Sequence, residues 1–202
     1  DSLPLYQNEQ MVDYLTTRDY ITQDLTKEAL RFISDNKNNP FFLYLPNPMP
    51  HIPLGASPGF KGKSANGIYG DAIEEIDWSV KQITNHLEKL GLSENTLFIF
   101  TSDNGPSFNG GTDSSWFDSG GPFSSEKGRG KGSVYEGGIR VPMIASWPAR
   151  IKAGSTTDHI SAFYDVLPTL ADVAGVDELP ATDGISFLPT MLGQDDQPKH
   201  EF

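Results

Sequence analysis

Apolar positions recur along this chain with two different periods. Leu25, Ala29, Phe32 and Ile33 fall at i, i+4, i+7 and i+8, which predicts a helix over 22–35, ended by Asn36-Lys37-Asn38-Asn39-Pro40. A longer stripe follows the 3-4-3-4-3 spacing of an amphipathic helix over 71–90: Ile73, Ile76, Val80, Ile83, Leu87 and Leu90. Asp71 with Glu74 reads as a capping box at its start, and Gly91 suits the left-handed position past its end. Asp77 and Trp78 lie beside the stripe, where a helix–sheet contact is expected. Short apolar runs bounded by turn formers predict buried strands at 41–45, 96–102 and 141–146, with a short strand near Tyr14 to Thr16. A last helix is predicted over 165–174, with Pro168 in its first turn and Gly175 ending it. Asp183-Gly184-Ile185-Ser186-Phe187-Leu188-Pro189 reads as a turn followed by a small apolar plug. The order α, β, α, β, β, α predicts an α/β fold, a three-layer sandwich with a mostly parallel sheet.

Between these elements lie two long irregular stretches. Residues 46–53 hold four prolines, which exclude a helix and stiffen the backbone around His51. Residues 105–132 carry glycine, proline and serine throughout and predict a long loop of the kind that is often functional. Composition narrows the picture further. The chain has 202 residues, 37% hydrophobic, with 15 basic against 27 acidic side chains for a net charge of −12. That balance disfavours nucleic acid and acidic membrane surfaces as main partners, while leaving room for a local anion pocket. No apolar run approaches the ~20 residues of a membrane helix. Cysteine is absent, so this stretch has no disulfide, thiolate metal site or cysteine nucleophile. The chain opens at Asp1 without a leader-like apolar segment and stops at Phe202 without a closing element, and is expected to be a piece of a longer protein.

The candidate chemistry gathers at the ends of the predicted strands. The run Leu97-Phe98-Ile99-Phe100 passes into Thr101-Ser102-Asp103-Asn104-Gly105. Open α/β sheets bind ligands at the carboxyl ends of their strands, and Asp103 and Asn104 supply hard oxygens suited to Ca²⁺ or Mg²⁺. His51 follows the 41–45 run; it reads either as a surface histidine or as a functional group held by a stiff loop. Lys127, Arg129 and Lys131 stand between glycines, either as a solvated loop tip or as cations whose backbone lets an anion approach closely. Glu136 and Arg140 are spaced to pair and fix a turn. Phe108, Trp116, Phe117 and Phe123 either wall a pocket or pack the long loop onto the domain.

Four motifs in this order resemble the sulfatase family of the alkaline phosphatase superfamily. They are Pro50-His51-Ile52-Pro53, then Thr101-Ser102-Asp103-Asn104-Gly105-Pro106, then Gly130-Lys131-Gly132-Ser133-Val134-Tyr135-Glu136-Gly137-Gly138-Ile139-Arg140-Val141-Pro142, and last Asp183 to Pro189. The third is the most specific, and Asp165 to Gly175 also looks like the family's Asp-Val-x-Pro-Thr helix. The resemblance implies an alkaline phosphatase-like fold and the second half of an arylsulfatase-type catalytic domain. Residues 1–21 would be an entry segment, 22–189 the α/β core portion and 190–202 the start of a C-terminal region. It implies that Asp103 and Asn104 are ligands of one Ca²⁺, that Lys131 contacts the sulfate ester, and that His51 lies near the bridging oxygen. Lys127 is the second choice for the lysine, and Arg129, Asp165 and Asp183 are kept as structural or peripheral. The implied substrate is a sulfated small molecule or carbohydrate, and the implied location is periplasmic or extracellular.

The chain also departs from the family pattern. Sulfatases use a formylglycine made from Cys or Ser in a Cys/Ser-x-Pro-x-Arg motif, and this chain has no such motif. The family's early paired aspartates and Lys-x-His stretch are absent as well. All belong to the family's first half, so the expected partner is that missing N-terminal half, and the chain alone is expected to be inactive and to bind Ca²⁺ weakly. Two other readings stay open at this stage. One is a phosphate or phosphonate ester hydrolase of the same superfamily. The other is a non-catalytic carbohydrate- or protein-binding module.

Overall fold

A computed structural model describes residues 3–123, 126–176 and 178–201. The chain forms two compact units, one from Asp1–Leu92 with Thr101–Pro142 and one from Ser93–Phe100 with Met143–Phe202.

The first unit opens with a hairpin. Strands β1 (Leu3–Gln7) and β2 (Gln10–Leu15) pair antiparallel, with a register shift between Leu5 and Tyr6. The two-residue turn is Asn8-Glu9, with Asn8 at φ +55°, a conformation asparagine tolerates. This element is longer than the short strand expected near Tyr14. Two helices then pack on each other, α1 (Ile21–Asn36) and α2 (Gly67–Lys89). Both match expected helices, but their seam is more polar than the apolar stripes imply. On α1 the buried residues are Thr22, Thr26, Ala29 and Ile33, so two threonines take the place expected of Leu25. On α2 they include Ala72, Glu75, Ser79, Ile83 and Leu87, while Ile73 is exposed. Thr26 Oγ1 lies 2.6 Å from both the Thr22 carbonyl and Ser79 Oγ. Small hydrogen-bonded side chains at the crossing let the helices approach closely, with Thr26 and Ser79 matching each other's hydroxyls.

The capping box expected at Asp71 is not formed. The helix begins at Gly67, so Asp71 lies inside it, and Glu74 is exposed. Asp71 is instead buried at 1% exposure and its carboxylate turns back to the preceding loop. It accepts from the backbone N–H groups of Gly62 (2.7 Å), Lys63 (3.1 Å) and Ser64 (2.8 Å). Burial pushes this carboxyl up, but the Gly62, Ser64 and Lys63 donors together outweigh it and hold the group below the ordinary aspartate value. A folded-state value below the unfolded one stabilises the fold at pH above the unfolded value, and the gain is lost as pH falls through the folded value. Asp71→Asn faces those donors with an amide and is expected to lower stability at neutral pH by about 3 kcal/mol. Urea unfolding of the two proteins at pH 7 and pH 3 measures this, and the gap between them should narrow at the lower pH. Trp78 of α2 packs against Phe60 at 5.9 Å between ring centres, a helix–loop contact rather than the helix–sheet contact expected, and Asp77 is exposed.

The expected strand at 41–45 forms no ladder with any described residue, although its side chains alternate between half-buried (41, 43, 45) and exposed (42, 44). A strand is defined by a neighbour to pair with, and none of the described strands supplies one. Two-stranded sheets, β1–β2 and a second pair β3 (Phe98–Thr101) with β4 (Met143–Ser146), stand where the apolar pattern predicts one larger, mostly parallel sheet.

The second unit holds that β3–β4 pair, α4 (Val166–Ala174) and α5 (Leu188–Met191); a four-residue helix, α3 (Glu136–Ile139), belongs to the first. Gly175 ends α4 at φ +68°, as its position past the helix predicts. Asp165, just ahead of α4, is the unit's buried polar anchor. It accepts from Ala162 N–H, Ile185 N–H and His200 Nε2, each at 2.8 Å. Burial raises this carboxyl, and Ile185, Ala162 and His200 bring it below its usual value. Phe187, the expected plug, is 3% exposed, and its N–H donates to Thr169 Oγ1 at 3.0 Å. Gly184 is required there, since a Cβ would lie 2.1 Å from the Tyr164 carbonyl oxygen.

Candidate active site

His51, Asp103, Asn104 and Lys131 all belong to the first unit, on three irregular segments. Strand β3 ends at Thr101, and the chain turns at once. Thr101 Oγ1 donates to the Pro142 carbonyl at 2.9 Å, and Ser102 Oγ donates to the Asn104 carbonyl at 2.9 Å. Asn104 Nδ2 donates to the Gly105 carbonyl at 2.9 Å, which leaves the side-chain oxygen Oδ1 as the atom available to a cation. Asp103 is exposed beside it.

Two backbone bonds bring the lysine segment to this turn. Gly105 N–H donates to the Gly138 carbonyl, and Lys131 N–H donates to the Pro106 carbonyl, both at 2.9 Å. The approach at Gly105 is so close that a Cβ there would lie 1.9 Å from the Gly137 oxygen. The Gly-Gly pair in Glu136-Gly137-Gly138 is therefore a seating for Gly105, and Gly137 and Gly138 are both buried. Lys131 is exposed at its far end, as is Lys127, but the Pro106 bond is made by Lys131. Around them, Glu136 and Arg140 form the expected i,i+4 ion pair at 3.2 Å, and Arg140 also stacks on Phe123 at 4.5 Å. Arg129 lies 4.7 Å over Tyr135. Both arginines thus serve to hold the loop.

The histidine loop meets the long loop that follows this turn through Ile52, whose side chain would be 2.6 Å from a Cβ on Gly110. His51 is exposed, and its Nδ1 lies 2.7 Å from the Ile52 carbonyl. A carbonyl only accepts, so Nδ1 carries the proton and Nε2 is left for a ligand. Of the four aromatics in the long loop, Phe117 packs on Tyr69 at 4.6 Å and Trp116 edges onto Phe117 at 4.5 Å, with Trp116 itself 69% exposed. Arg18, which holds the histidine loop from outside, and Asn47, which braces it from within, were not singled out by any sequence motif.

Among the described residues no hydrogen bond or ion pair links the four side chains to one another. Nor is there a group of three or more His, Cys, Asp and Glu side chains placed to share a metal. Asp103 and Asn104 fit a hard cation in donor type, but two residues fall short of the six to eight oxygens that Ca²⁺ takes.

A profile described as Sulfatase matches residues 2–176. The chain belongs to the sulfatase family. This sulfatase chain is 40% identical to human steryl-sulfatase over 200 residues, covering 98% of the chain and 34% of that protein. It is 38% identical to mouse N-acetylgalactosamine-6-sulfatase, covering 95% of the chain and 38% of that protein. Among solved structures, the PsFucS1 sulfatase from Pseudoalteromonas sp. superposes with a TM-score of 0.79 at 31% identity, over 95% of this chain and 38% of that one. The sulfatase chain therefore spans between a third and two-fifths of the length of these relatives, and over that span it shares the fold of the PsFucS1 structure.

Proposed function

We propose that this sulfatase chain supplies part of the catalytic centre of a sulfuric ester hydrolase. Asp103 and Asn104 would hold a Ca²⁺ whose role is that of a Lewis acid and template at a sulfate oxygen. Lys131 places a cation where negative charge grows on the transferred group, and a donor preset in position is worth most in a site that excludes water. His51 presents Nε2, which accepts when neutral and donates when the ring is protonated, so that it can bond a sulfate oxygen or give a proton to the departing alcohol. The nucleophile, a formylglycine, and the remaining metal ligands would come from residues outside these 202.

The observation that carries this reading is the Lys131 N–H bond to the Pro106 carbonyl, which pins a glycine-flanked lysine two residues past the Asp103-Asn104 pair. Oxygen donors for a metal and an anion-binding lysine on two segments joined by that backbone bond suit a singly charged ester bound through its oxygens. We propose a sulfated sugar or polysaccharide as the substrate, in keeping with the exposed Trp116, and a periplasmic or extracellular location. The test is hydrolysis of para-nitrophenyl sulfate and para-nitrophenyl phosphate by the longer protein that carries this chain, with its metal content measured alongside. Preference for the sulfate with a single bound Ca²⁺ is expected; preference for the phosphate with a pair of Zn²⁺ or Mn²⁺ ions would overturn the reading.

A further inference from the structure

The segment leading into α1, and the start of α1 itself, hold the histidine loop and the stretch that follows it. Arg18 Nη1 donates to the Ile52 carbonyl at 3.2 Å. That same oxygen accepts the proton of His51 Nδ1 at 2.7 Å. A carbonyl has two lone pairs, so both donors are accommodated. Gly55 packs so tightly against this segment that a Cβ would lie 2.8 Å from the Arg18 carbonyl carbon and 3.1 Å from the Asp19 nitrogen. Lys61 closes an ion pair with Asp19 at 2.9 Å. At the other end of the loop, Asn47 Oδ1 accepts from Met49 N–H at 3.0 Å and Asn47 lies 3.4 Å from Thr22 Oγ1. The loop's own hydrogen bond, His51 N–H to the Pro48 carbonyl at 3.0 Å, fixes the backbone of His51 but not its ring. The ring depends on the Ile52 carbonyl, and Arg18 is the side chain from outside the loop that bonds this oxygen.

We infer that Arg18 is a positioning residue for His51. By holding the Ile52 peptide it fixes the acceptor that orients the imidazole, keeps the proton of the neutral ring on Nδ1, and so reserves Nε2 for the ester. Guanidinium suits this task because it stays charged across the working pH range and its donors are rigidly arranged. The logic is that of the partner that sets the tautomer of a metal-bound or catalytic histidine, here moved one residue out through a backbone carbonyl. The geometric part of the inference stands on this chain alone; its catalytic consequence rests on the function proposed above for His51.

The experiment is long-range proton–nitrogen NMR of the imidazole rings in the protein carrying this chain, with the His51 signals identified by their loss in His51→Gln. The unsubstituted protein should show His51 as the Nδ1–H tautomer. Arg18→Met keeps the aliphatic stem without the donor and should give a mixture of tautomers. Arg18→Lys should restore most of the original state. With para-nitrophenyl sulfate, kcat should fall on the order of tenfold in Arg18→Met, with KM changed less than about twofold. If Arg18→Met fails to fold, Arg18→Gln, which retains a neutral donor, is read instead and should lie between Met and Lys. An unchanged tautomer in Arg18→Met, or in Arg18→Gln where the Met variant does not fold, would overturn the inference. A shifted tautomer with unchanged hydrolysis would uphold the clamp and overturn the catalytic role of His51.

Discussion

Asp103→Ala in the longer protein should abolish retention of Ca²⁺ and lower kcat/KM for an aryl sulfate by on the order of a thousandfold or more. Asp103 is the charged member of the proposed donor pair, and it lies within the turn that follows β3. The side chain is exposed, and no described partner consumes its carboxylate, so its replacement should cost little folding stability. Stability and activity are therefore expected to separate at this position. Metal analysis after gel filtration, urea unfolding and initial rates on one preparation would show it. Activity within about tenfold of the unsubstituted enzyme, with the metal retained, would remove Asp103 from the metal site.

The second large effect is expected at Lys131. Lys131→Ala should reduce kcat by about a hundred- to a thousandfold, the usual cost of removing a preset donor to a developing oxyanion. Lys127→Ala should leave the rate within about twofold. The sequence alone leaves these two lysines open to exchange, since both stand between glycines or beside one. We favour Lys131 on one bond, from its backbone N–H to the Pro106 carbonyl, which holds that segment beside the Asp103-Asn104 turn. Steady-state kinetics on the two single variants decides. A large loss at Lys127 with a small one at Lys131 would reverse the assignment.

Helices over 22–35, 71–90 and 165–174 were legible because each buries one stripe, and a stripe leaves its period in the sequence; they emerge as Ile21–Asn36, Gly67–Lys89 and Val166–Ala174. The runs that became β3 and β4 were legible as strands for the matching reason, since short apolar segments between turn formers mark strands, but both are half-buried or exposed rather than buried as expected. What stayed hidden was whatever depends on a partner distant in sequence. Phe41 to Leu45 has strand chemistry, but pairing needs a neighbour that no described strand provides. The β1–β2 hairpin turns on Asn8-Glu9 rather than Asn-Gly, so the usual turn signal is weak. Thr22, Thr26 and Ser79 look like surface residues until Thr26 and Ser79 are seen to bond each other across the helix seam. Asp71 has the composition of a cap and the job of a loop anchor, because the helix starts a turn earlier than its stripe.

The site divides in the same way. Asp103 and Asn104 could be placed at a strand end from the sequence alone, because both lie within three residues of Thr101. The seating of Gly105 on Gly137 and Gly138, and the Arg18 bond to Ile52, could not be read there. Both are contacts of backbone carbonyls, which every residue carries and no residue type announces.

Turnover of para-nitrophenyl sulfate should be measured for the purified 202-residue chain beside the longer protein, in the presence of Ca²⁺. A chain that contributes Asp103, Asn104, Lys131 and His51 to a centre completed from outside is expected to show no turnover alone, while the longer protein turns over repeatedly. Multiple turnovers by the isolated chain would contradict that account.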